Sequence, residues 1–279
     1  MTDIALVQPW FSFPQIDPIA FAIGPLAIRW YALSYMAGLL GGWQILRHLA
    51  KQPHSPVTVL QIDGLLNYIL FGVILGGRIG YVLFYQPASY LADPLTIFKI
   101  WQGGMSFHGG FLGVVLAVLF FQRRHKINLA DLSDRVALVA PIGLFFGRLA
   151  NFINGELYGR VTTHPIGMVF PRGGDMPRHP SQLYEAGLEG LVLGFILMMA
   201  WRMGWHKKAP GSLVALFLIG YGTARFLVEF AREPDTHLGL YQLGQLGLSQ
   251  GQLLSLPMIA AGLLYGLWLM QKAPHKGAR

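Results

Sequence analysis

The sequence predicts an all-α, polytopic membrane protein with seven transmembrane helices, and three observations carry that prediction. Hydrophobic residues make up 53% of the 279 and charged ones only 12%, with a mean hydropathy of +0.47, too apolar for an ordinary soluble domain. Seven runs approach the roughly 20 apolar residues that one bilayer crossing needs: about 28–46, 65–84, 105–121, 135–150, 183–201, 212–230 and 252–270. Basic residues gather behind alternate runs.

Arg47 and Lys51 follow the first run, Arg123, Arg124 and Lys126 the third, Arg202, Lys207 and Lys208 the fifth, and Lys272, Lys276 and Arg279 the seventh. Lys and Arg near helix ends resist translocation, so these segments are expected inside, with the N-terminus outside and the C-terminus inside. The opposite side carries a mixed set with little net sign: Asp3, Asp17, Asp93, Lys99, Glu156, Arg160, Arg172, Asp175, Arg178, Arg232, Glu233 and Asp235. Topology thus accounts for the net charge of +8 and the pI near 9.8, and no nucleic-acid partner is expected. The N-terminus lacks the basic start of a cleavable signal peptide, so the first helix is expected to stay. Between Pro9 and Pro25, aromatics (Trp10, Phe11, Phe13, Phe21) alternate with Pro14 and Pro18, which predicts an amphipathic segment at the outer interface. One domain is expected over 1–279, with an external polar segment at about 151–182.

The chain has no cysteine, which excludes disulfides, thiolate metal sites and a thiol nucleophile of its own. Its nine histidines show no ligand spacing, so neither metal nor cofactor is expected. His48, His54, His125, His206 and His275 fall in inward segments and are expected to be solvated. Small residues four apart recur in the runs, as in Gly38 and Gly42, Gly72, Gly76 and Gly80, Gly109 and Gly113, Gly143 and Gly147, Gly190 and Gly194, and Gly262 and Gly266. Such pairs let helices approach closely in lipid.

Ionisable residues inside the runs need an explanation, because each costs about 2.5–3.5 kcal/mol at the bilayer centre on insertion scales. Tyr221, Arg225, Glu229 and Arg232 are spaced to share one helix face; so are Ser181, Glu185 and Glu189, and Asn67 with Arg78. Three polar stripes imply a hydrated cavity between helices. For Arg78, Glu185 and Glu189, helix-tying ion pairs and a functional role are equally open readings. Arg148 and Arg225 fall toward the external helix ends, where a planar, permanently charged fork suits a lipid phosphodiester. His108, in the run Gly103-Gly104-Met105-Ser106-Phe107-His108-Gly109-Gly110, could act as a general base or an orienting donor. Serine hydrolysis is not indicated, since no G-x-S-x-G elbow accompanies the His-Gly-Gly run. A transporter is the rival reading of the stripes, but matching halves with broken helices are not evident.

Residues 147–159, Gly-Arg-Leu-Ala-Asn-Phe-Ile-Asn-Gly-Glu-Leu-Tyr-Gly, crowd a cation, a carboxylate and two amides at the close of an apolar run. This segment resembles the signature G-R-x-(G or A)-N-F-x-N-x-E-x-x-G of the bacterial prolipoprotein diacylglyceryl transferases. Further matches are Arg29-Trp30-Tyr31, Gly76 to Tyr81, His108-Gly109-Gly110, Arg178 to Glu185, and Tyr221 through Arg225 to Arg232. Ala32, Ala150 and Tyr158 depart mildly, standing where glycine or tryptophan is common.

The resemblance implies an inner-membrane enzyme with seven helices around a central lipid-accessible cavity, its N-terminus and active site periplasmic and its C-terminus cytoplasmic. The implied reaction moves the sn-1,2-diacylglyceryl group of phosphatidylglycerol to the lipobox cysteine of a preprolipoprotein signal peptide, with membrane lipids as surroundings. A thioether forms and glycerol 1-phosphate leaves. Arg148 and Arg225 are then expected to grip the phosphate, and His108 to take the thiol proton, through Tyr221 or water. Tyr31, Asn151, Glu156, Gly159, Glu229 and Arg232 also matter in the family. Asn151 is expected to donate to the headgroup, Glu156 to orient an arginine, and Gly159 to permit close backbone approach.

Overall fold

The computed structural model describes residues 11–24, 26–234, 240–243 and 246–272. Asp3, Trp10, Pro25, Asp235, His275, Lys276 and Arg279 lie outside them. Each apolar run is a helix: α1 (Trp30–Ala50), α2 (Val59–Phe84), α4 (Phe107–His125), α5 (Leu129–Ile153), α6 (Ser181–Glu185) continued through a π-helical stretch (Ala186–Val192) into α7 (Leu193–Arg202), α9 (Ser212–Val228) and α10 (Gln250–Lys272). Short α3 (Pro87–Ala92) and α8 (Trp205–Lys208) lie between them. Among the described residues, four stretches are long and apolar enough to cross a membrane: Val59–Phe84, Leu129–Ile153, Ser181–Arg202 and Gln250–Lys272.

Helix ends extend past the apolar runs because capping groups, invisible to hydropathy, set them. Before α2, Thr58 and Gln61 form a reciprocal capping box, Oγ1 accepting from the Gln61 amide at 3.2 Å and Gln61 Oε1 from the Thr58 amide at 2.8 Å. Asn128 Oδ1 accepts from the Ala130 and Asp131 amides at 2.9 and 3.3 Å, starting α5 well before residue 135.

The all-α expectation needs one correction. Strands β1 (Ile19–Ile23) and β2 (Leu26–Arg29) form an antiparallel hairpin before α1, and β3 (Leu240–Leu243) and β4 (Leu246–Ser249) form another before α10. The first hairpin turns at Gly24, whose φ of 57° favours glycine. Its strands occupy part of the segment expected to lie amphipathically at the interface. Phe13, from the same segment, instead packs on Phe152 and Phe170, with ring centroids 5.3 and 5.1 Å away.

The chain forms two compact units, residues 43–133 and residues 1–42 with 134–279. Within the first, α2 and α4 meet backbone to backbone: a Cβ on Gly80 would stand 2.7 Å from Gly109 Cα, and one on Gly76 would strike the Gly109 carbonyl oxygen. Buried Arg78 uses its fork to hold the chain leading to α4, donating to the Ile97 carbonyl at 2.8 Å, the Gly104 carbonyl at 3.1 Å and those of Thr96 and Gly103. Its role is to tie this loop. In the other unit, a Cβ on Gly38 would lie 2.8 Å from Gly143 Cα, and Gly222 and Gly262 bring α9 against α10.

His206 is buried rather than solvated, stacked on Trp201 at 3.6 Å with the Arg135 guanidinium over the same indole at 5.2 Å. Burial, then the charges of Arg135 and Lys207, lower its pKa from 6.5 to about 4.

An alanine at Gly109 should lower stability by about 1–3 kcal/mol through backbone overlap. At Gly147, where a Cβ meets nothing within 4 Å, alanine should leave the thermal midpoint unchanged or slightly raised; unfolding of both variants in detergent checks the contrast. Because the unfolded chain binds a proton at His206 near pH 6.5 and the folded chain only near 4, stability should be lost as pH falls through that window. Midpoints measured between pH 7 and 4 should fall less steeply in His206→Gln.

Candidate active site

The stripes on α6, its π-helical continuation and α9 converge on one buried network. Glu185 is its hub, with no exposed surface. Its Oε1 accepts from Arg225 Nη1 at 2.6 Å and Arg232 Nη1 at 3.1 Å, while Oε2 lies 2.9 Å from Arg148 Nε. The Arg148 N–H groups aim instead at Glu189 Oε2, at 3.4 Å, so both carboxylates hold this guanidinium. Arg225 also pairs with Glu229 one turn on, and Glu229 accepts from the Ser249 hydroxyl at 2.6 Å. Three guanidinium groups thus face three carboxylates, and the charges cancel where each alone would be costly.

Local backbone explains the convergence. The π-helical stretch Ala186–Val192 begins immediately after Glu185 and contains Glu189, widening the turn between the two carboxylates. Glu189 Oε1 is buried without a hydrogen-bond partner, 4.0 Å from Arg225 Nη1. The arginines keep an outward edge: side-chain exposure is 18% for Arg148, 17% for Arg225 and 11% for Arg232. Carboxylates behind and guanidinium edges in front are what an anion-binding surface needs.

Other predicted residues surround this network. Tyr221 lies in electrostatic reach of Arg148, Arg225, Glu185 and Glu189. The Tyr31 hydroxyl, 3.1 Å from that of Tyr35, lies in reach of Arg148 and Glu156. Glu156 departs from its expected role of orienting an arginine: its Oε1 accepts from the side-chain amides of Asn151 at 2.9 Å and Asn154 at 3.3 Å. Asn151 is thereby committed to Glu156 through one N–H. The turn is pinned by Gln182 Nε2 donating to the Glu156 carbonyl at 2.7 Å and Ser181 Oγ to that of Leu157 at 3.0 Å. These bonds hold Leu157 at a φ of 58°, which a branched side chain rarely adopts.

Gly159 does permit close approach, but to the protein itself: a Cβ there would strike the Ala231 carbonyl oxygen and lie 2.7 Å from His179 Cβ. The bridge it forms opposite Arg232 ties the segment after α5 to the end of α9. His179, in that segment, has its pKa lowered by burial and by the charge of His164. His108 stands in the other compact unit, exposed at the start of α4, where Ser106 Oγ accepts from the Gly109 amide at 3.2 Å. Sequence reasoning left the hub role of Glu185 open and missed Ser249 behind Glu229; the acidic stripe signalled the first, and nothing local signalled the second.

The family model described as prolipoprotein diacylglyceryl transferase matches residues 18–268. The chain belongs to the prolipoprotein diacylglyceryl transferase family. Relatives named phosphatidylglycerol--prolipoprotein diacylglyceryl transferase include one from Rhodospirillum rubrum, 55% identical over 254 residues covering 90% of this chain and 92% of the relative. Another, from Paramagnetospirillum magneticum, is 52% identical over 94% and 96% of the two chains. A third, from Bordetella bronchiseptica, is 52% identical over 94% and 98%. Of the residues given a role in the site, all apart from His108 fall in the unit that holds the arginine network, whereas the matching stretches Gly76 to Tyr81 and His108 to Gly110 fall in the other.

Replacing Glu185 by glutamine leaves three part-buried guanidinium groups short of a counter-charge. Stability should drop by about 3–5 kcal/mol, read as a lowered thermal midpoint in detergent.

Proposed function

We propose that the protein transfers the sn-1,2-diacylglyceryl group from phosphatidylglycerol to the lipobox cysteine thiol of preprolipoproteins, the first step of bacterial lipoprotein maturation. The observation that carries this reading is the pair Arg148 and Arg225, fixed on one carboxylate with outward edges, in a chain of this family. The acceptor brings the cysteine that this sequence lacks.

In the proposed reaction, the cysteine sulfur attacks the sn-3 carbon of the diacylglyceryl group and a thioether bond forms. The bond from that carbon to the phosphate oxygen breaks, and glycerol 1-phosphate departs with the electron pair. The phosphate goes from one negative charge toward two, and Arg148 and Arg225 meet that growth with preorganised donors. Thiols are mostly protonated at neutral pH, so a base is required, and His108 is assigned that role, through Tyr221 or water. Asn151, Glu156, Gly159 and Tyr31 shape the headgroup's surroundings, and Glu229 and Arg232 steady Arg225.

Seven helices cross the bacterial inner membrane in this reading, the N-terminus and the segment at 151–182 in the periplasm and the C-terminus in the cytoplasm. The basic segments behind alternate helices support that orientation. The chain acts as one transferase domain, supported by a family match that runs through both compact units.

The test is a vesicle assay with phosphatidylglycerol and a lipobox peptide, following thioether product and glycerol 1-phosphate. Arg148→Gln and Arg225→Gln should each lower turnover about 100-fold or more while remaining folded and inserted. In His108→Gln the loss should be largest near neutrality and shrink toward the thiol's own ionisation near pH ~8.5. Normal turnover in the arginine variants, or solute flux without product, overturns the reading.

A further inference from the structure

Asp134 is wholly buried in α5, yet none of the roles above uses it. Its carboxylate caps a different helix: Oδ2 accepts from the Gly211 amide at 2.8 Å, and Oδ1 from the Leu213 and Val214 amides at 3.0 Å each. These are the otherwise unpaired N–H groups that open α9, and a carboxylate there also meets the positive end of the helix dipole. Gly211 has a φ of 99°, and the space a side chain would need is filled by Tyr265, so the cap admits little adjustment.

The same two helices are linked again at their other ends through α6, where Arg148 of α5 and Arg225 of α9 share Glu185. From Asp134 to Arg148 is about 21 Å of helix, and from Leu213 to Arg225 about 18 Å, at 1.5 Å per residue. The helices therefore run in one direction, tied at both ends, directly at the cap and through Glu185 at the arginines. A slip of α9 by one residue shifts Arg225 by about 1.5 Å and turns it by about 100°. One cap thus sets the axial register that levels the two guanidinium groups.

We infer that Asp134 is a positioning residue for the arginine pair, acting along α5 and α9 from the far end of the bilayer. The inference rests on the proposed transfer for its activity readout, so a register readout accompanies it. Asp134→Asn keeps the volume but replaces one accepting oxygen with an amide that faces N–H groups. In the vesicle assay it should lower kcat/KM for phosphatidylglycerol ten- to hundredfold, the scale expected of a misplacement near 1 Å. Leu197→Ala, a cavity in the fully buried part of α7 chosen to match its thermal midpoint, should stay within about twofold of the unsubstituted protein.

Because the chain has no native cysteine, spin labels at Phe146→Cys and Thr223→Cys can report the register directly. The distance between them should shift or broaden by at least about 1.5 Å in Asp134→Asn and stay fixed in Leu197→Ala. An unchanged distance, or kcat/KM equal to that of the matched control, overturns the inference. If the unsubstituted protein makes no thioether, the transfer reading fails while the label distances still decide the register.

Discussion

A carboxylate with no exposed surface holding three guanidinium groups is the constraint on which the structure depends. Glu185 takes Arg148 from α5, Arg225 from α9 and Arg232 from just beyond α9. Isolated in hydrocarbon, each of these charges would cost about 2.5–3.5 kcal/mol on insertion scales. Together with Glu189 and Glu229 they balance in charge, and the protein can keep permanent cations whose outer edges stay exposed.

The rest of the unit serves that cluster. Gly222 on α9 and Gly262 on α10 bring the two helices close, Ser249 at the head of α10 steadies Glu229, and the bridge between Gly159 and Arg232 anchors the segment after α5. A π-helical stretch that begins after Glu185 and carries Glu189 shows the helix departing from its preferred geometry where the charges concentrate. Leu157, held at positive φ by two side-chain hydrogen bonds, stores a smaller strain beside it.

Much of this was legible in the sequence, for identifiable reasons. Apolar length marked every long helix, and helical spacing put Tyr221, Arg225, Glu229 and Arg232 on one face. The glycine pairs announced the close contacts of α2 with α4 and of α9 with α10. Other features depended on what no local pattern records. Arg78 and Arg148 look alike in sequence, yet one meets only backbone carbonyls among its hydrogen bonds and the other two carboxylates. His206 falls in a basic, polar stretch, and only the fold reveals that Trp201 covers it. The hairpins were hidden because short alternating strands beside proline and glycine resemble an interfacial coil, and caps such as Thr58 and Asn128 lie outside any hydropathy window.

The central claim is that Arg148 and Arg225 act as one clamp on a lipid phosphate. A high-resolution structure with phosphatidylglycerol bound tests it most directly. The account predicts a single phosphate with oxygens about 3 Å from both guanidinium groups, Glu185 still behind them. A phosphate bound by other residues, with Arg148 and Arg225 turned to separate surroundings, would contradict it.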